Sequence, residues 1–227
     1  MAVMLITGAS TGIGAATARQ AVAAGWRVVL GARSEDRLRD LAASLGGDDV
    51  ALAERCEVAD WDDQQELVRL ALDRFGALDA VFANAGFGAK RGFLEESVEH
   101  WKAMIDTNVL GTALSIRAAL PVFRSQGSGH FVLTSSVAGR RVLPGSLYAA
   151  TKHAVTAMGE ALRQEVSDSD IKVTLIEPGM VDTPFFEERP KDALEADDIA
   201  SAVLWALSQP RNMDVNEVLI RPVRQAG

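Results

Sequence analysis

The chain has little of what marks secreted, membrane-spanning or nucleic-acid-binding proteins. Its single cysteine, Cys56, excludes an intrachain disulfide and is typical of a reducing compartment, so we expect a cytoplasmic protein. No apolar run approaches the roughly 18 residues of a membrane span. The first residues reach Gly8 too soon, and without a basic start, for a signal peptide. A net charge of −8 argues against non-specific nucleic-acid binding. We therefore expect neither a membrane nor a nucleic acid as a partner.

Two classes of enzyme lack their signatures. The chain has 3 histidines (His100, His130 and His153), and none stands at metal-ligand spacing from another ligand, which predicts no metal site. Ser135 and Ser136 are not framed by the G-x-S-x-G elbow of many serine hydrolases. The sequence favours neither a metalloenzyme nor a serine hydrolase.

What the chain does contain is a regular alternation of short aliphatic runs and longer amphipathic segments. This alternation is typical of βαβ units, which build a parallel sheet with helices on both faces. The predicted strands are Val3–Thr7, Arg27–Gly31, Val50–Arg55, Ala80–Ala83, Gly129–Thr134, Lys172–Ile176 and Glu217–Ile220. The predicted helices are Gly12–Ala24, Ser34–Leu45, Trp61–Phe75, Ser97–Arg124, Tyr148–Val166 and Asp197–Leu207. We predict an α/β fold in one domain, residues 1–227, with a doubly wound parallel sheet.

A glycine-rich turn, Thr7–Gly14, connects the first predicted strand to the first helix. Its glycines at positions 8, 12 and 14 are spaced differently from the G-x-G-x-x-G fingerprint of dinucleotide sites. The physical basis is similar, because glycine permits close backbone approach and a helix N-terminus offers free N–H groups to a pyrophosphate. The alternative is a purely structural turn between a strand and a helix.

Tyr148 and Lys152 lie four positions apart and share one face of a predicted helix. An ammonium at ~4 Å stabilises a phenolate by roughly 4 kcal/mol at an effective dielectric of ~20. This is about what a shift of the tyrosine pKa from ~10 to ~7 requires. A lysine on the apolar stripe that continues through Val155 and Leu162 is costly unless it is paired or lies in a cleft. That cost favours a functional pair over an incidental one on an amphipathic helix.

Taken together, these motifs resemble the short-chain dehydrogenase/reductase family over essentially the whole chain. The residues that carry the resemblance, in family order, are Thr7–Gly14, Asn84-Ala85-Gly86, Asn108, Ser136, Tyr148, Lys152 and Pro178-Gly179. The resemblance implies a Rossmann-type fold with a seven-stranded parallel sheet, a bound NAD(H) or NADP(H), and tyrosine-dependent oxidoreduction.

The resemblance also implies catalytic roles. Tyr148 is expected to be the general acid in carbonyl reduction and the base in alcohol oxidation, and Lys152 to bind the nicotinamide ribose. Asn108 matches the asparagine that holds a water in a relay to the lysine, although a buried amide satisfied by backbone is the alternative.

Two adjacent serines compete for the role of binding the substrate carbonyl and its developing negative charge. The usual family spacing to the tyrosine favours Ser135, whereas the local motif Ser136-Val137-Ala138-Gly139 favours Ser136 with one residue deleted before Tyr148. Because side chains alternate along a strand, only one of the two can face the cleft. We predict Ser136.

The end of the second strand predicts the cofactor. Ala32 stands where NAD-preferring relatives carry aspartate, and the guanidinium of Arg33 can fork onto phosphate oxygens. We therefore predict NADP(H), although Glu35 and Asp36 lie close by; Ser34 either contacts the cofactor or caps the next helix. The predicted cofactor-binding residues are Gly8, Ser10, Thr11, Gly12, Ile13, Gly14, Arg33, Ser34, Glu57, Val58, Asn84, Ala85, Gly86, Tyr148, Lys152, Pro178, Gly179 and Thr183.

The substrate is expected at the carboxyl edge of the sheet. Candidates for its wall are Phe87, Val142, Leu143, Met180 and Phe185, with Phe93 and Phe186 beside them. Arg140 and Arg141 follow the fifth strand, and we consider two roles for them, attraction of an anionic substrate group or a surface or interface ion pair. The run Asn216–Pro222 resembles a subgroup that includes NADP-dependent 3-hydroxy acid (serine-type) dehydrogenases.

The resemblance further implies a homo-oligomer, a tetramer or dimer, formed through the two long helices 97–124 and 148–166. We predict an NADP(H)-dependent oxidoreductase that interconverts a small carbonyl compound and its secondary alcohol, with a hydroxy acid as one candidate for that alcohol. The alternatives are a non-catalytic dinucleotide-binding sensor on the same fold, and a dehydratase or epimerase that retains the cofactor.

Overall fold

The computed structural model of this protein describes residues 1–186 and 188–225. Its strands are β1 Val3–Thr7, β2 Arg27–Ala32, β3 Ala51–Arg55, β4 Ala80–Ala83, β5 Ser128–Thr134, β6 Asp170–Pro178, β7 Val181–Asp182, β8 Leu194–Glu195 and β9 Glu217–Ile220. Seven of them form one parallel sheet in the order β3-β2-β1-β4-β5-β6-β9, and β7 pairs with β8 separately. The predicted α/β architecture is confirmed.

The helices form two layers, one on each face of the sheet. Their bounds are α1 Gly12–Ala23, α2 Glu35–Ser44, α3 Trp61–Phe75, α4 Val98–Ile105, α5 Gly111–Gln126, α6 Leu147–Glu165 and α7 Ala196–Leu207. Helices α1, α2 and α7 contribute Ala18, Leu38 and Val203 to the core on one face. Helices α3, α5 and α6 bury residues such as Phe123 and Leu162 on the other. Both faces of the central strands are therefore covered, which explains their continuous apolar runs.

The strand order reverses between β1 and β4. Thr7 at the end of β1 is in register with Gly31 of β2, whereas Ile6 is in register with Phe82 of β4. The helices that follow β1 and β4 leave in opposite directions, so a crevice opens at the carboxyl ends of these two strands. The glycine-rich turn, Asn84 and Tyr148 all line this crevice.

The long helix expected over 97–124 is interrupted. A π-helical turn, Asp106–Leu110, separates α4 from α5, and the hydroxyl of Thr112 donates to the main-chain oxygen of Asn108 at 2.9 Å. A π turn inserts one extra residue into a helix without ending it, and such turns occur frequently at functional sites. The segment Asp106–Leu110 contains neither glycine nor proline, so the sequence carries no signal for an interruption there.

No helix in residues 1–186 or 188–225 is both long and apolar enough to span a membrane. In the same ranges, no three His, Cys, Asp or Glu side chains come together as a metal-binding group would require.

Candidate active site

A cleft of about 970 Å³ lies along the carboxyl ends of β1, β2, β4, β5 and β6. It runs from the end of β2, past the glycine-rich turn, to the first turn of α6. Most of the sequence-predicted site residues line it. Gly14 and Asn108 lie beneath its surface, and Val142 lies outside it.

The glycine-rich turn brings the N-terminus of α1 to the middle of the cleft. Gly8 and Gly12 have φ angles of +66° and +54°, which L side chains rarely adopt. A Cβ on Gly12 would lie 3.2 Å from the side chain of Thr183, so the turn and the segment after β6 approach closely. Thr11 makes no capping hydrogen bond within the described chain, and the first turn of α1 has no acidic residue. The helix N-terminus is thus available to an anionic group.

Gly14 packs against the glycine-rich turn from beneath the cleft. It is buried, and a Cβ there would collide with the main-chain oxygen of Gly8 and lie 2.9 Å from the Asn84 amide. Gly14 therefore lies beneath the cleft and provides close packing between α1 and the turn, and its contact with a cofactor stays a prediction.

Strand β4 is joined to β1 by side chains at the base of the cleft. The hydroxyl of Thr7 accepts hydrogen bonds from the main-chain nitrogens of Asn84 and Ala85 at 3.1 and 3.3 Å. The Asn84 amide in turn donates to the main-chain oxygen of Thr7 at 3.2 Å. These bonds fix the Asn84-Ala85-Gly86 segment against the glycine-rich turn.

The end of the cleft at β2 carries a loosely paired cation. Arg33 and Glu57 face each other with Nη1 and Oε2 4.0 Å apart, and their side chains remain 67% and 38% exposed. Ser34 precedes α2 but makes no capping hydrogen bond within the described residues, and its side chain lines the cleft. Glu35, a neighbouring acid, is paired with Arg39 instead. Arg33 is therefore only weakly paired, and an anionic ligand at this end of the cleft can compete with Glu57 for it.

Lys152 is anchored at the far end of the cleft. The lysine is only 4% exposed, and its Nζ donates to the main-chain oxygen of Thr134 at 2.8 Å. Nζ also lies 5.7 Å from the centroid of the Tyr148 ring. The helical spacing therefore places both groups in one pocket, as expected from the sequence.

The pKa values of the pair depart from the simple two-charge expectation. Burial lowers the pKa of Lys152 to about 8. Desolvation raises the pKa of Tyr148 to about 12, while a hydrogen bond from Ser136 acts in the opposite direction. The sequence argument that Lys152 lowers the tyrosine pKa is therefore wrong for the protein alone. Desolvation of a phenolate in the cleft is the largest cause of the raised pKa, and Lys152, which is itself desolvated, is not among the groups that lower it.

The two serines face different partners. The hydroxyl of Ser136 lines the cleft, reaches Tyr148 and donates to the main-chain oxygen of Pro178 at 3.3 Å. The hydroxyl of Ser135 donates instead to the main-chain oxygen of Lys152 at 3.1 Å and contacts the Thr156 hydroxyl at 2.7 Å. The alternation of side chains past the end of β5 explains the difference.

Asn108 is fully buried under the cleft. Its Oδ1 accepts from the main-chain nitrogen of Phe87 at 3.0 Å, and its Nδ2 donates to the Phe87 oxygen at 2.9 Å and the Thr151 hydroxyl at 3.1 Å. The side chain therefore fixes the segment after β4, as the backbone-satisfied alternative predicts. Its main-chain oxygen lies in the π turn and accepts from Thr112.

The expected substrate wall is present in part. Residues that line the cleft there are Phe87, Leu143, Met180, Phe185 and Phe186. Phe185 stacks edge-to-face on Tyr148, with ring centroids 5.5 Å apart. Val142 and Phe93 are 81% and 64% exposed and lie outside the cleft, because the loops that carry them turn outward. Phe93 packs against Trp101.

Arg140 also lies outside the cleft. Its Nε donates to both carboxylate oxygens of the buried Glu177, at 2.7 and 2.9 Å, and its Nη2 pairs with Glu217. An arginine with two carboxylate partners is not available for a substrate anion, so the ion-pair alternative holds for Arg140. Arg141 is exposed and does not line the cleft either.

Several residues of the cleft had no sequence signal. Arg91 and His100 line it from the segment after β4, and His100 Nε2 lies 2.8 Å from the Gly88 oxygen. Arg224 and Gln225 reach it from the segment after β9, and Gln225 accepts a hydrogen bond from the Met180 nitrogen at 2.9 Å. These residues lie in the segments after β4 and β9, and they reach the cleft only because those segments fold back over the edge of the sheet. No local sequence motif predicts that path.

A family model described as short chain dehydrogenase matches residues 2–194 of the chain. The chain belongs to the short-chain dehydrogenase family. It is accordingly an oxidoreductase of a family that binds NAD(P). Among curated relatives, uncharacterized oxidoreductases of Staphylococcus haemolyticus (strain JCSC1435) and Staphylococcus aureus (strain MRSA252) are 40% and 38% identical over 225 residues, which cover 97% of this chain and of each relative.

Solved structures of other short-chain dehydrogenases superpose on nearly the whole molecule. An alcohol dehydrogenase from the archaeon Thermococcus sibiricus, complexed with 5-hydroxy-NADP, matches with a TM-score of 0.92 and 34% identity, covering 100% of this chain and 99% of that one. Serine dehydrogenase from Escherichia coli matches with a TM-score of 0.90 and 30% identity, covering 99% and 100%. The fold of the chain is therefore the Rossmann fold of the family.

Proposed function

We propose that this short-chain dehydrogenase is an NADP(H)-dependent oxidoreductase that interconverts a small carbonyl compound and the corresponding secondary alcohol. The observation that carries the proposal is the convergence of Ser136, Tyr148 and Lys152 on the same cleft as an uncapped helix N-terminus and the weakly paired cation Arg33. An anion-binding turn and a phenol–ammonium pair in one cleft provide for both dinucleotide binding and proton transfer.

The residues present fit a dinucleotide. The first turn of α1 would hold the pyrophosphate, and Arg33 with Ser34 would hold a 2′-phosphate at the end of β2. Thr183 and Lys152 would fix the nicotinamide end against the segment from Pro178 to Gly179. When bound, the nicotinamide supplies or accepts the hydride. The roles of these residues, like those of the catalytic ones, rest on their position in the cleft and on the family resemblance.

Tyr148 would move the proton. In carbonyl reduction its phenol, protonated well above neutral pH because burial raises its pKa to about 12, donates to the developing alkoxide. Ser136 would donate a hydrogen bond to the same oxygen and so stabilise its negative charge. In the oxidation direction the positive charges of Lys152 and of an oxidised nicotinamide would favour the phenolate, which lets Tyr148 act as the base.

A small substrate fits this end of the cleft, because Phe185 packs over Tyr148 and narrows the approach to it. The similarity to an alcohol dehydrogenase and to serine dehydrogenase supports an alcohol or hydroxy acid as the substrate class. We further propose that residues 1–227 form one domain that assembles as a homo-oligomer in the cytoplasm, with no nucleic-acid or membrane partner.

The test is the oxidation of NADPH with a panel of small ketones, aldehydes and 3-oxo acids, measured for the wild type and Tyr148→Phe. We expect turnover by the wild type and a loss of at least about a hundredfold in the variant, the low end of general acid–base catalysis. NADPH affinity should stay within about threefold of wild type, a change of less than 1 kcal/mol. Binding without turnover would indicate a sensor, and product formation without net NADPH oxidation would indicate an epimerase or dehydratase. Equal turnover by Tyr148→Phe would refute the role of the phenol.

A further inference from the structure

Three consecutive residues at the end of β5 contact the helix that carries the proposed catalytic pair. Thr134 accepts from Lys152 Nζ, Ser135 bonds the Lys152 main chain, and Ser136 reaches Tyr148. We propose that Ser135 is a positioning residue for Lys152, holding the helix turn that carries it against the end of β5. This inference rests on the proposed function, in which Lys152 binds the nicotinamide ribose and faces Tyr148.

Lys152 is held at both of its ends by neighbouring residues of one segment. Its Nζ lies 2.8 Å from the Thr134 oxygen, and its main-chain oxygen lies 3.1 Å from the Ser135 hydroxyl. The lysine side chain is long and flexible, so fixing the ammonium alone leaves its backbone free to shift, and fixing the backbone alone leaves the ammonium free to rotate. The two contacts together define where the ammonium lies in the cleft.

The contact of Ser135 with α6 is tight and closed to solvent. Ser135 is 1% exposed, and its hydroxyl also meets the Thr156 hydroxyl, one helical turn beyond Lys152, at 2.7 Å. Gly139 packs over the same point. A Cβ on Gly139 would collide with Ser135 Oγ and lie 2.7 Å from the Thr156 hydroxyl and 2.9 Å from the Lys152 oxygen. The absence of a side chain at position 139 is what lets the loop close over this contact.

The Ser135 hydroxyl is not needed to hold its own strand. The main-chain nitrogen of Ser135 already donates to the Ile176 oxygen at 2.8 Å, which continues the pairing of β5 with β6. The side chain is therefore available to fix α6, and its removal should disturb the helix turn of Lys152 rather than the sheet.

The test compares Ser135→Ala and Thr156→Val with two matched controls. Thr156→Ser keeps the hydroxyl that meets Ser135. Ser115→Ala removes a hydroxyl that is equally buried, 3% exposed, and donates to a main-chain oxygen of the same kind, that of Gly111 at 2.9 Å, but away from the cleft. Three quantities are measured for each protein: the dissociation constant of NADPH, the pH profile of kcat/KM for carbonyl reduction, and the melting temperature.

We expect Ser135→Ala and Thr156→Val to weaken NADPH binding by roughly fivefold, the effect of one neutral hydrogen bond. The same variants should move the alkaline limb of the pH profile downward, because an ammonium that loses its hydrogen bond to the Thr134 oxygen gives up its proton at lower pH. Thr156→Ser and Ser115→Ala should match the wild type in both. If Ser135→Ala fails to fold, Thr156→Val carries the comparison.

The inference is overturned if Ser135→Ala and Ser115→Ala lower the melting temperature alike while neither changes NADPH binding or the pH profile, because Ser135 then only contributes to packing. A wild type that binds NADPH but reduces no carbonyl would refute the proposed function. The binding comparison would still decide the role of Ser135, so the two failures are distinguishable.

Discussion

The weak ion pair between Arg33 and Glu57 leads to a quantitative prediction of the preference for NADPH over NADH. Nη1 and Oε2 are 4.0 Å apart on largely exposed side chains, and such pairs contribute about 0–1 kcal/mol. A 2′-phosphate accepting charge-assisted hydrogen bonds from Arg33 would gain roughly 1.5–3 kcal/mol. The phosphate should therefore displace Glu57, with a net advantage of about 0.5–3 kcal/mol, or roughly two- to 150-fold in affinity.

The assay is a fluorescence titration with NADPH and, separately, NADH for the wild type, Arg33→Ala and Glu57→Gln. Arg33→Ala should weaken NADPH binding by roughly two- to 150-fold and leave NADH within about threefold. Glu57→Gln should tighten NADPH binding by up to about fivefold, because it removes a carboxylate that competes for Arg33 and repels the phosphate. Added salt should reduce the NADPH advantage of the wild type. An unchanged NADPH-to-NADH ratio in Arg33→Ala, or a wild type that prefers NADH, would refute the argument.

Two further predictions concern protonation. Burial lowers the pKa of His130 to about 4. Below about pH 6.5 the imidazole of the unfolded chain binds a proton, whereas the imidazole of the folded protein stays neutral down to about pH 4. The free energy of unfolding should therefore fall by roughly 3 kcal/mol as the pH is lowered from about 6.5 to 4. Urea unfolding of wild type and His130→Gln checks this, and parallel curves for the two would contradict it. Tyr148 is the only tyrosine, so the near-ultraviolet absorbance of phenolate titrates it alone; the midpoint should lie near 12 without cofactor and fall when NADP⁺ is added. A midpoint near 10 in the folded protein, or no change on adding NADP⁺, would show that the electrostatic account of the pair is wrong.

Much of the molecule follows from local pattern. The runs Val3–Thr7 and Ala80–Ala83 form strands with the predicted bounds because they are short, aliphatic and bounded by turn residues. The glycine-rich turn must lie at the carboxyl edge because it follows the first parallel strand. Tyr148 and Lys152 must share a face because a helix repeats every 3.6 residues. Each of these depends on neighbours in sequence, and each was predictable.

The tertiary structure decided what depends on distant partners. Local spacing did not decide whether Ser135 or Ser136 faces the cleft. The two side chains have different partners only because α6 packs against Ser135 and the cleft lies on the side of Ser136. The sequence left two roles open for Arg140, a substrate anchor or an ion pair. Its guanidinium pairs with Glu177 and Glu217, which lie on two other strands, so it forms an ion pair. The direction of the Tyr148 pKa was predicted wrongly because a count of nearby charges omits desolvation, which burial by the folded chain creates. The sequence by itself determined which groups are available and on which elements they lie. Only the packing of those elements determined which groups meet, because contact and burial are set by residues far apart in the chain.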